Sequence, residues 1–165
     1  MSSGSVVRKA ADLALKAVGY FDFVPGVLTR LLAGYAFYDS GRGKLQNVEN
    51  TVSFFTDLGI PFPELNAAFV SRLEYYGGML LLLGVLTRIV AVLLSSTMVV
   101  ALFTADRETF MGALFRTSEA GLSDVAPFVL LVFLSWLVVK GPGWLSVDTL
   151  IKRIAFGEAT AATTS

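Results

Sequence analysis

The chain of 165 residues contains neither cysteine nor histidine. The first absence removes disulfides, thiolate nucleophiles, thiol relays and cysteine-ligated iron–sulfur clusters from its own chemistry. The second removes the usual axial ligand of haem and the commonest ligand of zinc and copper. No intrinsic cofactor or metal site is therefore expected, and a redox role would need a bound organic carrier or a partner that brings its own. Charge is scarce too: 16% of residues are Asp, Glu, Lys or Arg, thirteen acidic against thirteen basic. Such a balance offers no basic surface for nucleic acid. Residues 1–20 (MSSGSVVRKAADLALKAVGY) lack a long apolar core and a small-residue cleavage site, so no cleaved signal peptide is expected.

What is present is apolar. Hydrophobic side chains make up 55% of the chain and the mean hydropathy is +0.69, far from an ordinary soluble domain. Residues 74–88 (EYYGGMLLLLGVLTR) continue into a second apolar run ending near Ala105. A block of roughly 30 such residues is too long for a buried strand, whereas ~20 residues cross a bilayer as a helix. The expected fold is all-α, an integral membrane four-helix bundle with amphipathic interfacial helices at both termini. Residues 1–23 form an amphipathic cytoplasmic segment, 24–140 the membrane domain and 141–165 a cytoplasmic amphipathic segment and tail. The spans fall at about 24–44, 67–86, 89–105 and 122–139. Thr87 and Arg88 make so short a link that the second and third spans must be antiparallel neighbours.

Lysine and arginine set the expected orientation. The N-terminal segment, the turn at Arg88 and the C-terminal segment hold Arg8, Lys9, Lys16, Arg88, Lys140, Lys152 and Arg153, while the two intervening loops hold Arg107 and Arg116. By the positive-inside rule both termini are expected to face the cytoplasm.

Within this apolar frame a few polar residues stand out. On the first span Arg30, Gly34, Phe37, Gly41 and Lys44 share one helical stripe. The glycines let a neighbouring helix come close, and the cations need something negative or wet to face. Glu74 lies well inside the second span, where a charge is costly and marks a functional hypothesis. Its partners are Lys44 from one side or Arg30 from the other, with Gly77 and Gly78 opening the groove. Two readings stay open. In the first, Arg30, Lys44, Glu74 and Arg88 form an inter-helix clasp. In the second, Glu74 with Arg30 or Lys44 lines a ligand pocket, and Phe37, Tyr75 and Tyr76 pack against a ring. Arg88 anchors to lipid phosphate or caps helix carbonyls.

The ordered series Arg30, Gly34, Phe37, Gly41, Lys44, Leu45, then Phe55, Leu58, Gly59, Pro61, then Glu74, Gly77, Gly78, Leu82, Gly84, Thr87, Arg88, and GPGWLSVD at 141–148, resembles the bacterial DoxX family of four-helix membrane proteins. The resemblance implies redox associations: relatives belong to a thiosulfate:quinone oxidoreductase, and another is linked to a membrane complex with superoxide dismutase and a sulfurtransferase. With the intramembrane charges, three expectations remain. The chain is a membrane subunit or anchor of a redox complex, holding a quinone and docking soluble redox or sulfur-transfer proteins; or a ligand-free scaffold; or a small transporter with an intramembrane charge relay, which four spans per chain would favour as a homo-oligomer. A family name assigns no enzyme activity, because function belongs to sites and not to folds.

Overall fold

The computed structural model describes residues 23–117, 119–141, 143 and 146–150; the amphipathic segment expected over residues 1–23 and the tail beyond 150 lie essentially outside these. Among the described residues the secondary structure is entirely helical. Four helices make the bundle: α1 (Phe23–Gln46), α3 (Pro63–Leu83), α4 (Thr87–Phe103) and α6 (Ala126–Lys140). Two shorter ones, α2 (Val48–Asp57) and α5 (Arg107–Phe115), follow α1 and α4. Helix α1 packs on α3, α3 on α4, α4 on α6 and α6 back on α1, closing a ring, while α2 leans on α3.

Turn chemistry sets the boundaries. Helix α3 starts a turn earlier than residue 67 because Pro63 occupies its first position, where the missing N–H is no loss. It ends at Gly84, which takes the left-handed conformation (φ 71°) that glycine adopts without strain. The fourth helix begins at Ala126 rather than 122, since Val125 is extended and residues Leu122–Asp124 form a single 3-10 turn.

The core is small: Ala33, Phe37, Leu81, Leu94, Leu134 and Leu137 are fully buried. Polar groups are buried with them, namely Arg30, Ser71, Glu74, Thr87 and Thr97, while large apolar side chains such as Leu32, Phe69, Leu83, Ile89, Val100 and Val139 face outward. Polar inside and apolar outside is the pattern of a bundle solvated by lipid. Lengths qualify the expectation of four straight spans. At ~1.5 Å per residue, α4 (17 residues) and α6 (15 residues) fall short of a ~30 Å hydrocarbon layer, and the longer α1 and α3 carry charges. Among the described residues no single helix is both long and apolar enough to cross a membrane; α4 with α5 reaches that length, but the two are bent by 80°.

The end of the bundle that carries Arg88 is tied by the segment after α6. Asp148 accepts the backbone N–H groups of Leu86 (2.8 Å) and Thr87 (3.0 Å), and its own N–H donates to the Gly84 carbonyl (3.0 Å). It thus caps α4 from 61 residues away, at a helix start where Leu86 itself sits at φ 48°. Ser146 accepts the Thr149 N–H at 3.2 Å, as an N-cap serine does. Arg88 donates to the Val139 carbonyl at 3.3 Å, so of its two expected roles the carbonyl cap is the one seen. Asp148→Ala is expected to destabilise the protein by about 1–2 kcal/mol, the size of a lost helix cap. Amide exchange would rise first at residues 84–88; uniform exchange across α3 and α4 would contradict the capping role.

Candidate functional site

Two glycine contacts fix where α1 and α3 meet. A Cβ on Gly41 would lie 2.7 Å from the Tyr75 Cα, and one on Gly78 would lie 2.7 Å from the Gly34 carbonyl oxygen and 2.8 Å from the Tyr38 Cα. The two backbones touch, and this contact brings the polar end of α1 onto Glu74. Lys44 forms an ion pair with Glu74 Oε2, and Ser40 donates to the same oxygen at 2.9 Å. Glu74 is 1% exposed, whereas the Lys44 side chain is 29% exposed, so the pair is buried unequally. Glu74 Oε1 accepts no hydrogen bond among the described residues.

Arg30 does not join this cluster. It sits at the other end of α1, 4% exposed, with its guanidinium against Gly84 and within the electrostatic reach of Asp148. The polar residues of the α1 stripe therefore serve two separate places, an Arg30–Asp148 corner by the α3–α4 turn and a Lys44–Glu74 corner at the opposite end. The aromatics divide too. Phe37 is 1% exposed within the core, and Tyr75 packs between Tyr38, tilted by 30°, and Tyr76, edge-on at 77°, each ring centroid 5.2 Å away.

Beside the Lys44–Glu74 corner lies a cavity of about 240 Å³ between α2, α3 and α4. Neither Phe37 nor Tyr75 lines it; its aromatic walls are Phe54, Phe55 and Phe69. Phe54, Phe69 and Val100 are half exposed and flank a mouth on the apolar outer surface. The sequence does carry signals for this lining. Asn66, Val70 and Glu74 repeat at four-residue steps on α3, as do Thr97 and Ala101 on α4 with Ala105 just past its end, and Phe55 continues the stripe of Val48 and Val52 on α2.

The polar lining is largely self-satisfied on the donor side. The hydroxyls of Ser96, Thr97 and Thr104 donate to the carbonyls of Leu93 (2.6 Å), Leu94 (2.8 Å) and Val100 (2.8 Å). This back-bonding, also made by Ser95 to Ala91 at 2.7 Å, leaves only oxygen lone pairs to face the cavity. Asn66 donates to the Pro61 carbonyl at 2.6 Å, and its backbone N–H to that of Phe62 at 3.0 Å. These bonds hold Phe62 at φ 48°, a conformation a bulky residue rarely takes, in the turn that folds α2 over the cavity.

An all-helical bundle with outward apolar faces and a buried, paired carboxylate is the build of a small membrane protein. The chain belongs to the DoxX family: the DoxX family model matches residues 26–107. It is 30% identical over 133 residues to the inner membrane protein YqjF of Escherichia coli, covering 78% of this chain and 93% of that one. It is also 36% identical over 87 residues to CatD of Bacillus subtilis, which bears the name of an oxidoreductase. That match covers 52% of this chain and 63% of CatD, so the chain spans less than two thirds of that relative. No solved structure matches.

Proposed function

We propose that this DoxX-family protein works in the bacterial inner membrane as the membrane subunit of a redox system, holding a quinone-like lipophile in the cavity between α2, α3 and α4. The observation that carries the reading is the Lys44–Glu74 pair at one corner of an otherwise apolar, phenylalanine-walled cavity whose mouth opens on the lipid-facing surface. Its volume lies below the ~300 Å³ typical of whole drug-sized ligands and suits a single-ring headgroup with its tail left in the bilayer. The inner-membrane likeness of one relative and the oxidoreductase name of another point the same way.

A quinone supplies two-electron, two-proton carrier chemistry that the chain's own side chains lack, with the electrons provided by a soluble redox or sulfur-transfer partner. The residues fit that group. Lys44 has N–H groups to donate to a ring oxygen, Glu74 can hold a proton beside it, and Phe55 and Phe69 offer apolar faces. Ser40 keeps the carboxylate turned toward Lys44. Lipid extraction of the purified protein is expected to yield a stoichiometric quinone, which Lys44→Met lowers several-fold. Protein that carries no quinone and binds none when added would instead favour the scaffold reading, in which the same pair serves α1–α3 packing alone.

A further inference from the structure

The polar atoms around the cavity are unevenly divided between donors and acceptors. Glu74 Oε1 accepts nothing among the described residues although its side chain is buried. The oxygens of Ser96, Thr97 and Thr104 have given their protons to backbone carbonyls and present only lone pairs. Among the described lining residues, spare side-chain N–H groups remain on Lys44 and Asn66, and Lys44 already spends one on the carboxylate. A ligand that only accepts, such as a bare carbonyl, satisfies the lysine and leaves the buried carboxylate oxygen unmatched. A ligand that both accepts and donates satisfies both.

Charge narrows the ligand further. Lys44 and Glu74 neutralise each other, so the corner offers no net charge to an anionic or cationic headgroup. The rest of the lining is largely phenylalanine and aliphatic. The group that fits is neutral, small, attached to an apolar body, and carries a hydroxyl.

We infer that the cavity selects the hydroxyl-bearing form of its ligand, a phenol or quinol, whose O–H donates to Glu74 Oε1 while its oxygen accepts from Lys44. The inference rests on the reading of this cavity as a lipophile site and specifies the chemical class it takes. A site built to pair a ligand hydroxyl rejects the analogue that lacks it more strongly than an apolar pocket rejects a size change, because the buried acceptor is then stranded.

The test compares three probes on the full-length protein in nanodiscs by fluorescence quenching or calorimetry. These are 4-nonylphenol, its methyl ether, which keeps the ring, tail and acceptor oxygen but loses the donor, and menadione, an acceptor-only quinone. The phenol is expected to bind about tenfold more tightly than the ether or the quinone, the difference one charge-assisted hydrogen bond makes. In Glu74→Gln, whose neutral amide oxygen is a weaker acceptor, the preference should shrink several-fold. Should that variant not fold, the comparison on the wild-type protein decides alone. Ether or quinone binding as tightly as the phenol overturns the selectivity and leaves the lipophile site standing. Binding of none of the three overturns both.

Discussion

Gly78→Ala and Gly41→Ala are expected to be the most damaging single-methyl changes in the molecule. Each added Cβ would meet backbone of the facing helix, at 2.7 Å from the Gly34 carbonyl oxygen and from the Tyr75 Cα respectively. A clash with a flexible side-chain tip is relieved by a rotamer change, but backbone on both sides leaves only separation of α1 from α3. Overpacking of this kind costs about 1–3 kcal/mol and sometimes more, and the separation also lengthens the Lys44–Glu74 contact that the close approach creates. Two glycines serve as internal controls. Gly43, on α1, has open space where its Cβ would go, and Gly77, on α3, would meet only Leu94 side-chain atoms at 3.4 Å. Alanine there is expected to be neutral or to stabilise by about 0.5–1 kcal/mol, through helix propensity alone. Thermal unfolding of the four variants in one detergent gives the order directly. Gly78→Ala as stable as Gly43→Ala would mean the helices do not touch at this point.

That contact was legible in the sequence because it needs only the helical period. Steps of three and four along residues 30–44 put Gly34, Gly41 and Lys44 on one face, and leave Glu74 on the second span with Lys44 or Arg30 as its partner. The cavity was not legible in the same way. Its aromatic walls come from α2 and the start of α3, and their placement depends on the turn at 59–63, where Phe62 adopts a left-handed conformation held by Asn66. Periodicity says which residues share a helix face but nothing of the direction in which a turn sends the next helix. Phe37 and Tyr75, the ring partners that the α1 stripe and the neighbourhood of Glu74 suggested, therefore stand in the core and in a tyrosine cluster, while Phe55 and Phe69 reach the cavity. Arg30 illustrates a second limit. Its shared stripe with Lys44 is real, yet a helix face about 20 Å long at ~1.5 Å per residue can serve two sites. Which one Arg30 serves was decided by Asp148, brought to the α3–α4 turn by a segment 118 positions further along the chain.

The ion pair can be divided into its structural and functional parts, because its two members are buried unequally. Lys44→Met removes the cation from a carboxylate that is 1% exposed and leaves it the Ser40 hydroxyl alone, at an expected cost of about 3–5 kcal/mol. Glu74→Gln leaves Lys44, whose side chain is 29% exposed, free to extend toward water, and the amide oxygen still accepts from Ser40; about 1–3 kcal/mol is expected. Replacing both, as Lys44→Met with Glu74→Leu, removes the charge together with the need to pair it. Apolar replacement of a whole buried pair is often neutral or stabilising, so the double variant should recover most of the loss. Closed with the Glu74→Leu single variant, the cycle is expected to yield a coupling energy of about 2 kcal/mol or more. A double variant no more stable than Lys44→Met would show that the pair is not coupled. The recovered double variant also separates the roles the two residues can have: its fold no longer depends on charge, yet its cavity corner is apolar. If the pair exists to recognise a ligand hydroxyl, this well-folded protein should lose the wild-type preference and bind the phenol and its methyl ether equally, whereas a purely structural clasp gives the wild type no preference to lose.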